Sequence, residues 1–216
     1  MMKYHVSNDA GTQLDKLVAQ FEKQTKTEIV LAVTQKSDSY DELPWKAFAL
    51  GASLAGIGVF VQQLFFNGWD SLLNTFQAVT GILGCGVLFA VLVMLFPFFA
   101  RFFLSKDRAA TEVEQYAASM FLKRELFATR SRIGILALVS LFERKIVIQP
   151  DIGLRTILTS EALQPVIEAM IPLLKRGEIV PAFEQGLEQL TSLIGTSSPG
   201  SHGNELSDEI IEEKGE

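Results

Sequence analysis

Two stretches of the chain carry no charge. The first, Ala47 to Phe66, reads AFALGASLAGIGVFVQQLFF. As a helix it is about 30 Å long at ~1.5 Å per residue, enough to cross the hydrocarbon core of a bilayer. The second, Phe76 to Ala100, reads FQAVTGILGCGVLFAVLVMLFPFFA and is longer still. Outside these runs the apolar positions are periodic. Leu14, Leu17, Val18 and Phe21 follow the i, i+3, i+4, i+7 spacing of an amphipathic helix. EIVLAV, Glu28 to Val33, is a short apolar run of strand type. Beyond the second uncharged stretch, Val113, Tyr116, Ala117, Met120 and Phe121 return to helical spacing, and this helix is expected to reach about Thr129. IGILALVSL, Ile133 to Leu141, is continuous and apolar, as in a strand buried on both faces. Glu143 to Lys145 turns the chain into a third strand, Ile146 to Ile148.

Two helices close the pattern. Thr159 or Ser160 is placed to cap the first, which starts near Glu161, has Pro165 in its first turns and ends at Gly177. Pro181 suits the opening turn of the second, which carries Phe183, Leu187, Leu190 and Ile194. The order predicts a three-layer α/β/α sandwich with a small mixed sheet, its first two strands parallel and its third antiparallel to the second. A two-helix transmembrane hairpin interrupts it. The expected divisions are a split α/β domain over 1–45 and 101–195, the hairpin over 46–100, and a disordered acidic tail over 196–216.

Lys and Arg set the expected orientation. The linker between the apolar runs, NGWDSLLNT, has neither, whereas Lys36 and Lys46 precede the first run and Arg101, Lys106 and Arg108 follow the second. Basic residues are retained on the cytoplasmic side, so the hairpin is expected to run in–out–in with both termini cytoplasmic. Trp45 and Trp69 then fall at interface depth. Ala47, Gly51 and Ala55 in one helix, and Gly81 and Cys85 in the other, recur at four-residue spacing that permits close helix packing.

Composition removes several classes of chemistry. The 216 residues hold one cysteine, Cys85, so no internal disulfide or cysteine-cluster metal site forms. The only histidines, His5 and His202, lie near the chain ends, so the body lacks the commonest general base and metal ligand. Net charge is −6, and five of those charges fall in the tail after Ser197, leaving no basic field for nucleic acid. No Gly-rich phosphate loop is present, and no cofactor is expected.

Three strings, KTEIVLAVTQKSDSY, TRSRIGILALVSLFERKIVIQPDIG and LLKRGEIVPAFEQGLEQL, resemble the TPM domain family, in particular its membrane branch with a spanning hairpin after the first strand. The most specific features are Gly134, Glu143–Arg144 and Asp151–Gly153 in that order. The resemblance implies an α/β/α sandwich. For soluble relatives it implies accessory roles or an acid phosphatase activity with bound metal. Relatives with that activity carry K-D-N-G before the second strand. Here the matching stretch is Arg130 to Gly134, with Ser131 at the aspartate position between two arginines, which repel a cation.

Two clusters of candidate residues follow. Arg130, Ser131, Arg132, Asp151 and Arg155 are expected at the end of the sheet distal to the membrane. They form either an anion pocket, since guanidinium suits bidentate contact with phosphate or carboxylate, or an Asp–Arg pair that fixes the start of the third helix region. Lys36, Lys46, Arg101, Lys106, Arg108, Arg144 and Lys145 are expected on the membrane side, against anionic lipid headgroups. Ser37-Asp38-Ser39 reads as a solvated loop and Glu143 as a turn residue. The expected function is a noncatalytic accessory module at the cytoplasmic membrane surface that binds lipid and an unidentified membrane or cytoplasmic protein; the alternative is a membrane-tethered phosphatase-like hydrolase.

Overall fold

The computed structural model describes residues 8–66, 72–129, 131–195 and 211–213. The described residues contain seven α-helices, one 3-10 turn and four strands. They divide into two compact units. One is built on Ser39–Ala109, the other on residues 3–38 together with 110–216.

The second unit holds the sheet. Three of its strands are β1 (Ile29–Thr34), β2 (Ile135–Ser140) and β3 (Lys145–Pro150). Every residue of β1 and β2 is buried, as their unbroken apolar runs predict for strands covered on both faces. β1 and β2 pair in parallel from Ile29↔Ile135 to Thr34↔Ser140. β3 returns antiparallel to β2, with Ser140 opposite Lys145. A loop of four residues, Leu141–Arg144, joins them, and Arg144 takes the left-handed conformation (φ 54°) at its end. All three strands sit within one or two residues of their predicted positions.

Alternation along the strands makes two cores. Ile29, Leu31, Val33, Ile135, Ala137 and Val139 face α1 (Asn8–Thr25), α6 (Ser160–Lys175) and α7 (Ile179–Ile194). Val30, Ala32, Leu136 and Leu138 face α5 (Lys106–Lys123) through Val113, Ala117, Met120 and Phe121. The apolar stripes read from the sequence are therefore the ones that bury. Local chemistry sets the ends of α6. Thr159 accepts from the Ala162 amide at 3.3 Å. At the other end the Glu178 and Gly177 amides donate to the Leu173 and Leu174 carbonyls, with Gly177 at φ 82°, a Schellman cap. Gly186 lets α7 approach α6, because a Cβ there would lie 2.8 Å from the Met170 sulfur.

Two expectations change. The helix expected to reach Thr129 ends at Lys123. Glu125 turns left-handed (φ 53°), and the short turn η1 (Leu126–Ala128) follows. Within the predicted tail, β4 (Ile211–Glu213) pairs in parallel with Ala32–Thr34 on the outer edge of β1, giving the order β3-β2-β1-β4. The rest of 196–216 lies outside the described residues.

The other unit contains α2 (Glu42–Phe66), α3 (Leu72–Leu95) and α4 (Pro97–Phe103). α2 and α3 are long and apolar enough to cross a membrane, with mean hydropathy 1.6 and 2.5. Only 6% and 11% of their apolar windows are buried, whereas a core helix of a soluble domain is mostly buried. The second uncharged run was expected to be helical through Ala100. Instead α3 stops at Leu95, and Phe96 is extended (φ −119°, ψ 104°) ahead of Pro97, as the ring of a proline demands of its neighbour. Of the small residues expected to close the hairpin, Ala47 and Gly51 are buried. A Cβ on Gly51 would lie 2.8 Å from the Cys85 carbonyl oxygen and the Phe89 ring. Gly81 faces open space, and Gly86, packed on the Phe48 ring, takes its part. Trp69 lies outside the described residues.

Leu138 is wholly buried in the core beneath α5. Leu138→Ala is expected to destabilise the α/β unit by about 2–5 kcal/mol, and Leu138→Asp to prevent folding by burying an unpaired charge. Thermal melts of the detergent-solubilised chain check this. Wild-type melting of Leu138→Asp would contradict the strand assignment.

Candidate functional site

Two loops meet where β2 begins and β3 ends. The Asp151 amide donates to the Gly134 carbonyl at 2.8 Å, and the Gly153 amide donates to the Arg132 carbonyl at 2.9 Å. Backbone crowds both glycines. A Cβ on Gly153 would lie 2.6 Å from the Arg132 carbonyl oxygen, and one on Gly134 would overlap that of Leu126. The glycines picked out in the sequence thus serve close approach of the chain to itself.

Across this junction Arg132 clamps Asp151. Its Nε donates to Oδ2 at 2.6 Å and its Nη2 to Oδ1 at 3.0 Å, the bidentate fork that guanidinium and carboxylate favour. The Ile152 amide donates to Oδ1 as well, at 2.7 Å. Arg132 itself is left-handed (φ 54°), and its guanidinium lies 5.9 Å over the Phe127 ring. Asp151 is 3% exposed. Burial pushes its carboxyl up, but the Arg132 and Ile152 hydrogen bonds and the charges of Arg132 and Arg155 outweigh that and hold it below its ordinary range. The same hydrogen bond raises Arg132 further. Of the other residues expected here, Ser131 is half-buried, Arg155 is exposed, and Arg130 lies outside the described residues.

The opposite end of the sheet carries a polar cluster that the sequence reading missed. Thr34, Ser37 and Ser140 are buried. The Glu143 carboxylate accepts from the Ser37 amide at 2.9 Å and from the Ser140 hydroxyl. The Ser37 hydroxyl donates to Ser140 Oγ at 3.2 Å, and Thr34 donates to the Lys36 carbonyl at 3.0 Å. Glu143 therefore does more than turn the chain. It ties the segment leaving β1 to the β2–β3 loop, and Ser37 is buried rather than solvated. The available signal was pairing: parallel β1 and β2 place Thr34 beside Ser140. Three of the basic residues expected against lipid belong to this end. Lys36 lies 5.7 Å over the Phe142 ring, Arg144 is in the loop and Lys145 opens β3.

The other four belong to the hairpin unit. Lys46 and Arg108 converge on Glu42, at 3.8 Å and 3.5 Å. Arg101 lies within α4, and Lys106 is exposed at the start of α5. Trp45, one residue before Lys46, is 73% exposed.

Residues 101–193 match the model of the TPM domain family. This segment is similar to the TPM domain. The match takes in β2, β3 and α5 to α7, and with them the Arg132–Asp151 clamp and Glu143. No curated protein matches the chain. Among solved structures it is similar to the NMR structure of BA42 protein from the psychrophilic bacterium Bizionia argentinensis, with a TM-score of 0.56 and 13% identity over 98% of each chain. At that identity the likeness is one of fold.

A depressed carboxyl stabilises the folded α/β unit at pH values above its unfolded value, about 3.9, and the contribution is lost as pH falls through the lower folded value. Asp151→Asn is therefore expected to lower the melting temperature at neutral pH. Its melting should then fall less steeply than wild type below about pH 4, and the two should converge in stronger acid. Parallel melting curves for both proteins across that range would show that the clamp contributes nothing.

Proposed function

We propose that the protein is a membrane-anchored, noncatalytic TPM domain module that binds a partner protein at the cytoplasmic surface. In this reading α2 and α3 span the bilayer, and both chain ends lie on the cytoplasmic side. The anchoring rests on the length, apolarity and exposure of the two helices. The orientation rests on the confinement of Lys and Arg to the flanks, away from the linker between the helices. Contact of the flanking basic residues with anionic headgroups belongs to the same reading.

The noncatalytic part is carried by the commitment of Asp151. Both of its oxygens are taken by the Arg132 guanidinium, and Oδ1 by the Ile152 amide as well. A metal-dependent hydrolase needs a cation held by fixed oxygen ligands, and a cation at Asp151 would have to displace a charged, bidentate partner. The same pairing occupies Arg132, so an anion pocket built from Arg130, Ser131, Arg132, Asp151 and Arg155 is no part of this proposal.

Labelling with an impermeant thiol reagent tests the topology. In a Cys85→Ala background, a cysteine at Ser71 is expected to react in intact cells, and one at Ser198 only after permeabilisation. External labelling at 198 would reverse the orientation. The chemistry is tested on a generic phosphomonoester, with and without magnesium, calcium or manganese. No turnover is expected. Turnover that survives repurification and disappears in Asp151→Asn would replace this reading with the hydrolase.

A further inference from the structure

The segment FPFFARFF follows α3 directly, and it does not extend that helix. The extended Phe96 breaks the axis, its carbonyl accepts from the Phe99 and Ala100 amides at 3.0 and 3.1 Å, and Pro97 starts α4 afresh. At seven residues α4 is about 10 Å long, far too short to cross a bilayer.

Its two sides differ. Ala100 is buried, and Phe99 packs edge-on against Phe89 of α3, with ring centroids 5.8 Å apart, and against Phe103 at 5.6 Å. The opposite side carries Phe98 and Phe102, 83% and 77% exposed. Their four-residue spacing puts both rings on one helix face. Water does not favour two large exposed rings on a single short helix. The same unit carries Arg101 within α4 itself, Lys106 and Arg108 just after it, and Lys46 beside the exposed Trp45. Aromatic rings beside Lys and Arg make the composition of a membrane–water interface, with rings at the acyl boundary and cations among phosphates.

We infer that α4 is an interfacial anchor: it lies at the headgroup–acyl boundary of the leaflet that α3 leaves, with Phe98 and Phe102 inserted into lipid and the neighbouring basic residues at headgroup level. This rests on the reading of α2 and α3 as spanning helices, and adds to it a third, non-spanning contact with the bilayer. It gives the break at Phe96–Pro97 a purpose. A straight continuation of α3 would carry Arg101 along the spanning axis, whereas α4 keeps the arginine and the rings at one depth.

The test uses the full-length chain with Trp45 and Trp69 replaced by Phe, and one tryptophan restored as Leu83→Trp, Phe98→Trp or Phe102→Trp. All three positions are exposed, at 51%, 83% and 77%, so the larger ring is accommodated. Each variant is reconstituted into phosphatidylcholine–phosphatidylglycerol vesicles containing lipids brominated near the ester or near the chain end, and iodide is the aqueous quencher. Leu83→Trp, midway along α3, is expected to be quenched most by the deep bromines. Phe98→Trp and Phe102→Trp are expected to be quenched most by the shallow bromines, with blue-shifted emission and protection from iodide. Deep quenching at Leu83→Trp, with Phe98→Trp and Phe102→Trp open to iodide and untouched by bromine, would overturn the inference while leaving the anchor intact. Deep quenching at all three would make α4 part of the span and overturn it equally. No lipid quenching at Leu83→Trp would remove the spanning hairpin, and the inference with it.

Discussion

β1 and β2 lie side by side and parallel, and a parallel pair obliges the chain to leave the sheet at one end and return at the other. That constraint organises the whole molecule. The return is made by α5, which covers the sheet face that α1, α6 and α7 leave open. A crossover must already be long, and lengthening a connection further adds little loop-closure entropy. An apolar helical hairpin can therefore occupy this connection without altering either strand. The two units are compact in themselves, and the chain passes between them twice, near Asp38 and near Ala109.

The ends of the parallel pair are held in different ways. Where β2 begins, two glycines bring backbone onto backbone, and Arg132 is fixed by Asp151 on one side and lies over Phe127 on the other. Where β1 ends, buried hydroxyls and the Glu143 carboxylate satisfy one another and the Ser37 amide. Both clusters obey one requirement: a polar group withdrawn from water at a strand end has to find a partner there. Residue types associated with catalysis serve here to fix loops. The features Gly134, Glu143–Arg144 and Asp151–Gly153, which carry the resemblance to the TPM domain family, all fall in these two junctions, and here they hold the sheet ends together.

Much of this was legible along the chain. Periodicity located α1, α5 and α7 because one face of each is buried and the other is wet, and unbroken apolar runs located β1 and β2 because both faces are covered. The boundaries were less legible where a single backbone conformation decides them. The left-handed Glu125 ends the helix predicted to reach Thr129, and the extended Phe96 ends the run predicted to reach Ala100. In both places the side chains remain apolar, and hydropathy passes over the break.

The sequence by itself determined which segments are apolar enough to be buried or to cross a membrane, and which faces of the helices bury, since these follow from local composition and spacing. It also supplied the Asp–Arg alternative. Only the tertiary structure showed that Arg132 pairs with Asp151, because residues 132 and 151 meet through the register of the β2–β3 hairpin. It alone joined Ser37 to Glu143 across the parallel pair, chose Gly86 over Gly81 as the contact in the helical hairpin, and set Ile211–Glu213 beside β1. Each of these depends on residues distant in sequence arriving at one place, and spacing along the chain carries no record of which distant backbone will be the neighbour.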